Sequence, residues 1–594
     1  MKNQELAKIF NEIADYLEMD GVAFKPYAYQ RAGIALGSME EDIEDIYKKG
    51  GRKALEDIPG VGKSIAASVE EYLKTGKIKY YNFLRKRTPV NMEELTSVEG
   101  LGPKRVKFLY DKLGIADLKD LEKAAKTHKI SPLFGFGKKT EENILEGIEF
   151  LKRSRGRFLL GEILPKVKEV YEKLKNLKEV KEINVAGSIR RMKETIGDAD
   201  FLVVSRPSGR GSPSEAAKKI MEFFTSLPGV VKVWGKGSTK ASIRMGLGFD
   251  PVRKKFSNGV DMDIRVVPKR SYGAALQYFT GSKDHNIALR KIAIEKGLKL
   301  SEYGLFKGNK IIAGSREEGV YNALGLDFIA PELRENSGEI EAAQKHKLPK
   351  IIGYQDIKGD LHCHSDWDGG VNSIENLAKA AMDLGYEYLG ISDHTKFLKI
   401  ERGLDEKQLE DRNKEIDKLN EGFRVKGLGF RVLKGCEANI LNDGSIDIKD
   451  ETLKKLDFVI AGVHSSLKMS REKMTERMIV VMRNPNVDII SHPTGRILKK
   501  RDEYEIDFDK ILKVAKETGT ILEISAWHER LDLNDKKIRK AKTAGVKMVI
   551  NTDAHQKDQL RFMELGVSQA RRGWAEKEDI INTQPLDKLL DFLK

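Results

Sequence analysis

Carboxylates on two predicted strands could hold metal ions for phosphoryl transfer. The apolar run that contains Asp198 and Asp200 reads as a strand, and alternate side chains of a strand project from the same face. A second such run carries Asp261 and Asp263. Because a face with three carboxylates repels itself unless cations fill it, the pattern suits two divalent ions roughly 4 Å apart. Such ions would activate a 3′-hydroxyl and stabilise a leaving pyrophosphate.

A glycine turn before these acids offers a binding place for a triphosphate. Gly187 and Ser188 open a turn after a predicted strand. Their backbone, together with the Arg191 guanidinium, could bind phosphate oxygens. A lone Asp-x-Asp pair is more often a solvated strand edge, so the surrounding motifs must decide between the two interpretations.

Residues 360–594 repeat a different pattern, in which short apolar runs end in side chains that bind metals. These side chains are His362, His364, His394, Glu437, His464, His492, Asp553 and His555. Alternating strands and helices with polar residues at the strand ends predict a βα barrel whose site lies at that face. One histidine at a strand end is usually structural, but six with two acids form a nitrogen and oxygen ligand set suited to zinc, manganese or iron.

Three glycine pairs near the N-terminus predict hairpins that hold a nucleic-acid backbone. The pairs, each with a lysine after it, are Gly60 and Gly62 with Lys63, Gly100 and Gly102 with Lys104, and Gly135 and Gly137 with Lys138. Glycines two apart allow a turn with positive φ and let the N–H groups of the next helix approach a phosphate. This helix-hairpin-helix pattern binds backbone without reading sequence. A single copy would also fit a helix C-cap, but three copies argue against that alternative.

The elements that position these motifs divide the chain into predicted domains. The predicted fold is multidomain, with helical units at the N-terminus, a central α+β region and a C-terminal βα (TIM-like) barrel. The boundaries are 1–90 and 91–150 for two helical units with hairpins, 151–268 for the α+β unit with the acids, 269–340 for a smaller unit, 341–359 for a polar linker and 360–594 for the barrel.

Composition excludes several classes of protein. The 594 residues are 40% hydrophobic and 33% charged, which excludes a disordered chain, a collagen and a disulfide-stapled miniprotein. We find neither an apolar run of about 20 residues for a membrane span nor a signal peptide. Two cysteines, Cys363 and Cys436, fit a reducing cytoplasm.

The formal net charge of +15 lies entirely in the residues before Asp360. Such asymmetry predicts that this first part meets a polyanion, because cations that bind phosphates release condensed counterions. A lysine-rich solvated surface, common in proteins from hot environments, is the alternative explanation of the charge.

The central motifs resemble those of family X DNA polymerases, the group that includes the beta-type repair polymerase. The matching pieces are Ala186-Gly187-Ser188 with Arg190-Arg191, Gly197-Asp198-x-Asp200, Asp263-x-Arg265 and Tyr278-Phe279-Thr280-Gly281-Ser282. The resemblance covers about the first 340 residues, and it implies a nucleotidyltransferase palm over 151–268 and a nucleotide-selecting thumb over 269–340. It also implies that Asp198, Asp200 and Asp263 are the catalytic acids and metal ligands. Asp263 is preferred over Asp261 because the family acid precedes x-Arg, and Asp261 remains the fallback.

The same resemblance implies a nucleotide-binding set. Its members are Gly187, Ser188, Arg191, Gly197, Tyr278, Phe279, Gly281 and Asn286. Tyr278, Phe279 and Gly281 would line the pocket that selects deoxyribose, Asn286 would meet the base edge, and Arg290 would contact the template strand. Taken alone, the two aromatic residues would more often belong to a core.

A segment of the first domain, residues 24–32, resembles the family segment that binds the 5′-phosphate across a gap, which points to Lys25 and Tyr29. Where relatives with lyase activity place the lysine that forms a Schiff base, the register puts Ser68. A hydroxyl cannot form that imine, so we predict no lyase activity by the family route.

The histidine motifs resemble the PHP (polymerase and histidinol phosphatase) phosphoesterase family over nearly all of residues 360–594. In that family nine ligands hold up to three metal ions, and the eight residues named above match eight of them. The ninth, an acid five residues after the second histidine, falls on Gly369. Asp368, or Asp366, could substitute for it. The resemblance implies Mn²⁺-favoured 3′→5′ exonuclease activity, with incision at abasic sites as a further activity to test.

We therefore expect a DNA repair polymerase that fills short gaps with deoxynucleoside triphosphates, joined to a metal-dependent exonuclease. The expected cofactors are Mg²⁺ or Mn²⁺ at the polymerase site and Zn²⁺ or Mn²⁺, up to three ions, at the barrel site. A monomer on gapped or primer-template DNA in a prokaryotic cytoplasm, associated with the nucleoid and not with a membrane, is expected. The alternatives are a phosphatase or nuclease that uses the polymerase part only as a DNA-binding arm, a non-catalytic DNA-end-binding protein, and a polymerase with an inert barrel.

Overall fold

The structure, a computed structural model, describes residues 2–593 except 40, 59, 99, 154–155, 207–212 and 251–254. The predicted fold class is confirmed: helical N-terminal domains, an α+β region and a βα barrel follow one another along the chain. None of the helices within these described ranges is both long and apolar enough to cross a membrane.

The N-terminal region is helical. Its helices are α1 (Lys2–Met19), α2 (Lys25–Ser38), α3 (Ile43–Glu56), α4 (Lys63–Thr75), α5 (Lys79–Arg87), α6 (Met92–Thr96), α7 (Pro103–Leu113), α8 (Leu118–Lys126) and α9 (Lys138–Arg153). Helix α1 shows why: Leu6, Phe10, Ile13 and Leu17 recur at helical spacing and are all buried. They join one apolar core that runs through these helices.

The central region is built on a mixed five-stranded sheet. Its elements are β1 (Phe158–Leu159), α10 (Leu160–Lys175), β2 (Val180–Ala186), α11 (Gly187–Arg190), β3 (Thr195–Ile196), β4 (Asp198–Ser205), α12 (Pro213–Thr225), β5 (Val230–Lys236), β6 (Lys240–Asp250) and β7 (Lys255–Val266). The strand order is β2-β4-β7-β6-β5, and within it β4 and β7 run parallel while the other pairs are antiparallel. The parallel pair carries the predicted catalytic acids.

The next region packs helices against a small antiparallel sheet of order β10-β9-β8. Its elements are α13 (Tyr272–Thr280), α14 (Lys283–Glu295), β8 (Lys299–Ser301), β9 (Gly304–Lys307), β10 (Lys310–Ala313), α15 (Glu317–Ala323) and α16 (Glu339–Gln344). Glu317 ties it to the sheet region, because its carboxylate binds both the buried Arg334 and Arg190. Helix α16 reaches into the predicted linker, and Ile352 further along is fully buried.

The C-terminal region alternates parallel strands with helices. Its elements are β11 (Gly359–Asp360), α17 (Ile374–Asp383), β12 (Tyr388–Ile391), α18 (Glu406–Val425), β13 (Arg431–Lys434), β14 (Glu437–Asn439), α19 (Asp450–Leu453), β15 (Ile460–Gly462), α20 (Arg471–Met482), β16 (Ile489–Ile490), α21 (Phe508–Thr518), β17 (Ile521–Ser525), α22 (Asp535–Ala544), β18 (Met548–Asn551), α23 (Met563–Arg572) and α24 (Leu586–Leu590).

Two parallel sheets, β11-β12-β13 and β14-β15-β16-β17-β18, make up this region. Two parallel bridges join them: His394, which follows β12, pairs with Glu437 of β14, and Cys363, which follows β11, pairs with Ala554, which follows β18. The second bridge links the first strand position to the last, so the strands close into a ring. The carboxyl ends of all the strands therefore face one side, where the histidines lie.

The barrel contacts both the sheet region and the N-terminal helices. Leu531 and Leu565 of the barrel lie in the core of the sheet region, and Arg496 forms an ion pair with Glu194 there. The N-terminal helices also touch it, since Arg31 donates to the carbonyl oxygen of Gly370 at 3.1 Å.

Candidate functional sites

The three glycine pairs adopt the same hairpin. The first glycine of each pair, Gly60, Gly100 or Gly135, has a φ between 80° and 83°. The apolar residue between the glycines is buried and donates its N–H to the carbonyl three residues earlier. These bonds are Val61 to Ile58 at 2.9 Å, Leu101 to Val98 at 3.0 Å and Phe136 to Leu133 at 2.9 Å. Each motif therefore makes the positive-φ turn expected from its sequence; Pro59 and Glu99 lie outside the described residues.

The second glycine of each of the first two pairs precedes a helix whose N-terminus has no side-chain cap. Gly62 and Gly102 are the N-caps of α4 and α7, and neither end has a side chain that accepts from the first N–H groups. Lys63 and Lys104 are exposed beside them, and Gly137 stands in the same place before α9. Uncapped N–H groups next to a lysine can bind a phosphate through hydrogen bonds and the helix dipole.

Lys25 and Tyr29 lie on α2, next to the first hairpin. Lys25 is exposed, whereas Tyr29 is buried and its ring packs edge-on against Phe10 at 5.6 Å between centroids. Burial raises the pKa of the Tyr29 phenol, and hydrogen bonds to Ser68 and Ser64 partly offset it. Ser68, which stands where lyase-active relatives carry a lysine, is therefore adjacent to the predicted 5′-phosphate segment.

The predicted catalytic acids lie side by side on β4 and β7. The parallel register pairs Asp198 with Asp261 and Asp200 with Asp263. Burial, followed by the charges of Asp198 and Asp263, raises the pKa of Asp200 to about 7. Three carboxylates thus share one electrostatic site with too few cations to neutralise them, which is the condition for binding divalent ions.

Asp261 is separated from this group by its own partners. Arg244 donates to both of its carboxylate oxygens at 2.9 Å, and the indole N–H of Trp234 donates at 3.0 Å. Asp263 instead lies 3.5 Å from the ammonium of Lys240. The geometry therefore favours Asp263 over Asp261 as the third acid.

The glycine turn lies against the acids. Gly187 has a φ of 72°, and a side chain there would meet the Asp200 carboxylate at 2.9 Å. Arg191, expected on the triphosphate, forms an ion pair with Glu335 at 3.1 Å and also donates to the Thr280 carbonyl. Arg191 therefore joins the turn to α13. Ser188 lies within this turn, and Gly197 comes directly before β4.

The predicted sugar pocket brings together residues from α13 and β7. Tyr278 and Phe279 contact each other edge-on at 5.2 Å, and the guanidinium of Arg265 lies 4.7 Å from the Phe279 ring. Gly281 follows with a φ of 67°, and a side chain there would lie 3.2 Å from the guanidinium of Arg191.

Asn286 and Arg290 occupy successive turns of α14. Both polar atoms of the Asn286 amide are engaged: its oxygen accepts from Gln277 at 2.6 Å, and its nitrogen donates to the Tyr278 carbonyl at 2.7 Å. Asn286 therefore fixes the end of α13, while the side chain of Arg290 is exposed.

The eight predicted metal ligands of the barrel converge on one buried cluster. Glu437 lies at its centre: one carboxylate oxygen is within 3.9 Å of ring nitrogens of His362, His364 and His394, and the other is 3.3 Å from His464 and 3.1 Å from His492. Asp553 lies 3.3 Å from His364 and 3.6 Å from His362. His555 stacks on His364 with ring centroids 4.2 Å apart.

The cluster has the donors that a metal centre needs. Several buried atoms in it have no hydrogen-bond partner: Nε2 of His362 and His364, Nδ1 of His394 and His492, and one oxygen of Glu437. Leaving buried polar atoms unpaired is costly, and ligand nitrogens aimed at a shared point are the usual exception. Three groups of three among these residues have their ligand atoms within 4.8 Å of one another. The residues therefore fit a cluster of divalent ions.

A second layer of side chains orients these ligands. His362 Nδ1 binds Glu523 at 2.7 Å, which leaves Nε2 for a metal. His464 Nδ1 likewise binds the Asn439 side-chain oxygen at 2.8 Å. Burial opposes protonation of His362, but the carboxylates of Glu523, Glu437 and Asp553 outweigh it and raise its pKa well above the usual value.

Asp368 lies behind His364. Its carboxylate accepts from His364 Nδ1 at 2.7 Å and from the backbone N–H groups of His394 and Gly370 at 2.8 and 2.9 Å. Asp368 therefore orients His364 in the way that Glu523 orients His362.

The sequence did not assign Glu523 or Asn439 a role. An acid inside the apolar strand β17 was the available signal for Glu523, because a buried carboxylate needs a partner.

Family models match four segments of the chain. They are the helix-hairpin-helix domain over 1–78, the SAM-like helix-hairpin-helix tandem over 92–149, the DNA polymerase beta thumb over 275–335 and the PHP domain over 360–526. Together with the acids and the histidine cluster, they define a nucleotidyltransferase with DNA-binding hairpins and a metal-binding phosphoesterase barrel.

Similar proteins carry the same arrangement in whole or in part. The DNA polymerase/3′-5′ exonuclease PolX of Bacillus subtilis (strain 168) is 36% identical over 597 residues, which cover 100% of this chain and 100% of the relative. Probable phosphatases of Acetivibrio thermocellus and Clostridium acetobutylicum are 31% identical over 205 residues and 33% identical over 207, each covering 33% of this chain and 78% of the relative. The chain belongs to the PolX family of family X DNA polymerases that carry a PHP domain.

Proposed function

We propose that this chain fills short gaps in DNA with deoxynucleoside triphosphates by metal-dependent nucleotidyl transfer. The observation that carries the proposal is the placement of Asp198, Asp200 and Asp263 side by side on the parallel strands β4 and β7, where burial and the two neighbouring carboxylates raise the pKa of Asp200 to about 7. Asp198, Asp200 and Asp263 would hold Mg²⁺ or Mn²⁺, and these ions, when bound, supply activation of the 3′-hydroxyl and stabilisation of the leaving pyrophosphate. Gly187 and Ser188 would bind the triphosphate through their backbone N–H groups.

The hairpins would hold the DNA on both sides of the gap. The open helix N-termini at Gly62 and Gly102 can bind backbone phosphates without reading sequence, which suits a repair enzyme that meets any sequence. The basic excess of the residues before Asp360 supports the same partner. Arg290, exposed on α14, would contact the template strand, and Lys25 with the largely buried Tyr29 would bind the 5′ side.

The barrel would act as a metal-dependent 3′→5′ exonuclease. The orphaned ring nitrogens around Glu437 support a bound cluster of Mn²⁺ or Zn²⁺, which would activate water for phosphodiester hydrolysis. A polymerase with an inert barrel is the competing function. It is disfavoured because all eight family-matching ligands converge and two of the histidines are held by buried carboxylates. Incision at abasic sites would use the same chemistry at an internal position.

We further propose that the protein acts as a monomer on chromosomal DNA, in the nucleoid of a prokaryotic cell. Full-length similarity to a bacterial relative supports the prokaryotic setting. The two sites would then work on the same substrate, one adding nucleotides to a 3′-end and the other removing them.

A labelled primer on gapped DNA with Mn²⁺ tests both activities of the intact chain. We expect extension in the presence of deoxynucleoside triphosphates and shortening in their absence. Extension alone would mean that the barrel is inert on DNA. Shortening alone would mean that the palm acids do not support nucleotide addition.

A further inference from the structure

Another side chain occupies the place where the barrel lacks a ligand. Gly369 stands where the related phosphoesterases carry an acid. A Cβ atom built on Gly369 would lie 2.3 Å from a carboxylate oxygen of Glu401, and the three heavy atoms nearest to it all belong to Glu401. The carboxyl group of Glu401 therefore fills the volume that a side chain at position 369 would take.

The loop that carries Glu401 is held against the loop that carries Gly369. Residues 395–404 leave the end of β12 directly after His394 and return to it, since the N–H of Leu404 donates to the His394 carbonyl at 2.7 Å. Arg402, the next residue after Glu401, donates to the carbonyl oxygen of Asp368 and lies 3.5 Å from that of Asp366. Two loops that each follow a metal-ligand histidine are thus joined at this point.

Asp368 is not free to act as the missing ligand. One of its oxygens accepts from His364 Nδ1 and the His394 N–H, and the other accepts from the Gly370 N–H. A carboxylate so fully hydrogen-bonded orients its histidine, and moving it toward a metal would break three bonds inside the barrel.

Glu401 is in the opposite state. Its side chain is partly buried, and within the part of the chain that the structure describes its carboxylate has neither a hydrogen bond nor an ion pair. A partly desolvated carboxylate without a cation is unfavourable. A divalent ion bound by this carboxylate would remove that cost.

We propose that Glu401 supplies the carboxylate ligand that Gly369 cannot, so that the metal cluster is completed from the loop after β12 and not from the loop after β11. The exchange explains both departures together, because glycine at 369 leaves room for the Glu401 carboxylate. This inference rests on the proposed metal-dependent function of the barrel.

Mn²⁺ binding to the metal-free full-length protein tests the proposal. Equilibrium dialysis would give the number of ions bound and their dissociation constants for wild type, for Glu401→Gln and for Glu410→Gln, which removes an exposed carboxylate of the same domain. We expect Glu401→Gln to lose one ion or to bind its weakest ion at least about tenfold less tightly. Glu410→Gln should match wild type. Unchanged binding in Glu401→Gln would overturn the proposal.

A transfer of the carboxylate separates ligation from loop packing. Gly369→Asp in a Glu401→Ala background should restore the lost ion, because the acid is then supplied from the usual loop. Failure to restore it would mean that Glu401 acts through packing and not as a ligand. The double variant His362→Ala with His364→Ala distinguishes failure of the metal centre from failure of the role of Glu401. If wild type binds no more Mn²⁺ than this double variant, the metal centre itself is absent. If wild type binds more and Glu401→Gln is unchanged, only the role of Glu401 fails.

Discussion

The palm site and the barrel site differ in how far their metal ligands are buried and oriented by the protein in the absence of metal. On the palm, the side chain of Asp263 is 40% exposed, and its nearest cation, Lys240, is 3.5 Å away. In the barrel, His362 and His364 are fully buried, and each donates a hydrogen bond from Nδ1 to a buried carboxylate. The palm therefore presents Asp198 and Asp263 to solvent beside the more buried Asp200, whereas the barrel presents buried ligands that are already oriented.

The difference follows from what each site must admit. A polymerase site has to accept a nucleotide with its metal, so its ligands stand at a strand edge beside an open turn. The barrel ligands come from many strand ends around a ring, and second-layer partners can fix each of them. Metal at the palm should thus be weak and exchangeable, and metal in the barrel tight and resident.

The largest expected effect separates the two palm acids that share a strand. Asp263→Asn should lower nucleotide incorporation on gapped DNA by roughly 10³-fold, because a lost metal ligand removes several kcal/mol of transition-state stabilisation. Asp261→Asn, which removes an acid already bound to Arg244, should stay close to wild type. Single-turnover incorporation measures both. The reverse order would make Asp261 the catalytic acid.

A smaller effect is expected from the second layer of the barrel. Glu523→Gln keeps the shape of the side chain but weakens the acceptor that orients His362. We expect exonuclease activity and Mn²⁺ affinity to fall by about 10- to 100-fold, with polymerase activity unchanged. Wild-type Mn²⁺ affinity in this variant would show that the barrel ligands need no such support, and the contrast between the sites would weaken.

The palm should also respond to pH through Asp200. Its pKa of about 7 means that the metal-free carboxyl keeps its proton below neutrality, so apparent Mg²⁺ affinity should fall about tenfold for each pH unit below 7. The contribution of Asp200 to the stability of the metal-free protein has the opposite pH dependence: a carboxyl pKa raised above the unfolded value of about 4 adds stability at low pH, and this contribution is lost as the pH rises through 7. Mg²⁺ should therefore raise the melting temperature more at pH 8 than at pH 6. Asp200→Asn should remove this dependence, and a wild-type protein without it would contradict the account.

The smallest effect is expected at the hairpins, because several contacts share the DNA. Lys63→Ala or Lys104→Ala should weaken binding to gapped DNA a few-fold on any sequence and reduce the slope of log affinity against log salt by about 1. Lys455→Ala, an exposed lysine of the barrel, is the matched control. Equal slopes for all three variants would remove the hairpins from the DNA interface.

Local spacing predicted much of this molecule. The glycine pairs, the strand that carries Asp198 and Asp200, and the histidines at strand ends are patterns whose geometry follows from the backbone alone. Glu523 and Glu401 were not predicted, because their roles depend on which loops and strands meet in space. Asp368 illustrates the same dependence on the fold. Its position in the sequence suggested a metal ligand, and only the fold shows that its carboxylate accepts a hydrogen bond from Nδ1 of His364.

Separation of function on one substrate tests the central claim that two independently built metal sites act in one chain. Extension and shortening of a labelled primer on gapped DNA would be compared for wild type, Asp198→Asn, and His362→Ala with His364→Ala. The account predicts that Asp198→Asn loses extension and keeps shortening, and that the double histidine variant does the opposite. Loss of both activities from either variant, with the fold intact by circular dichroism, would contradict it.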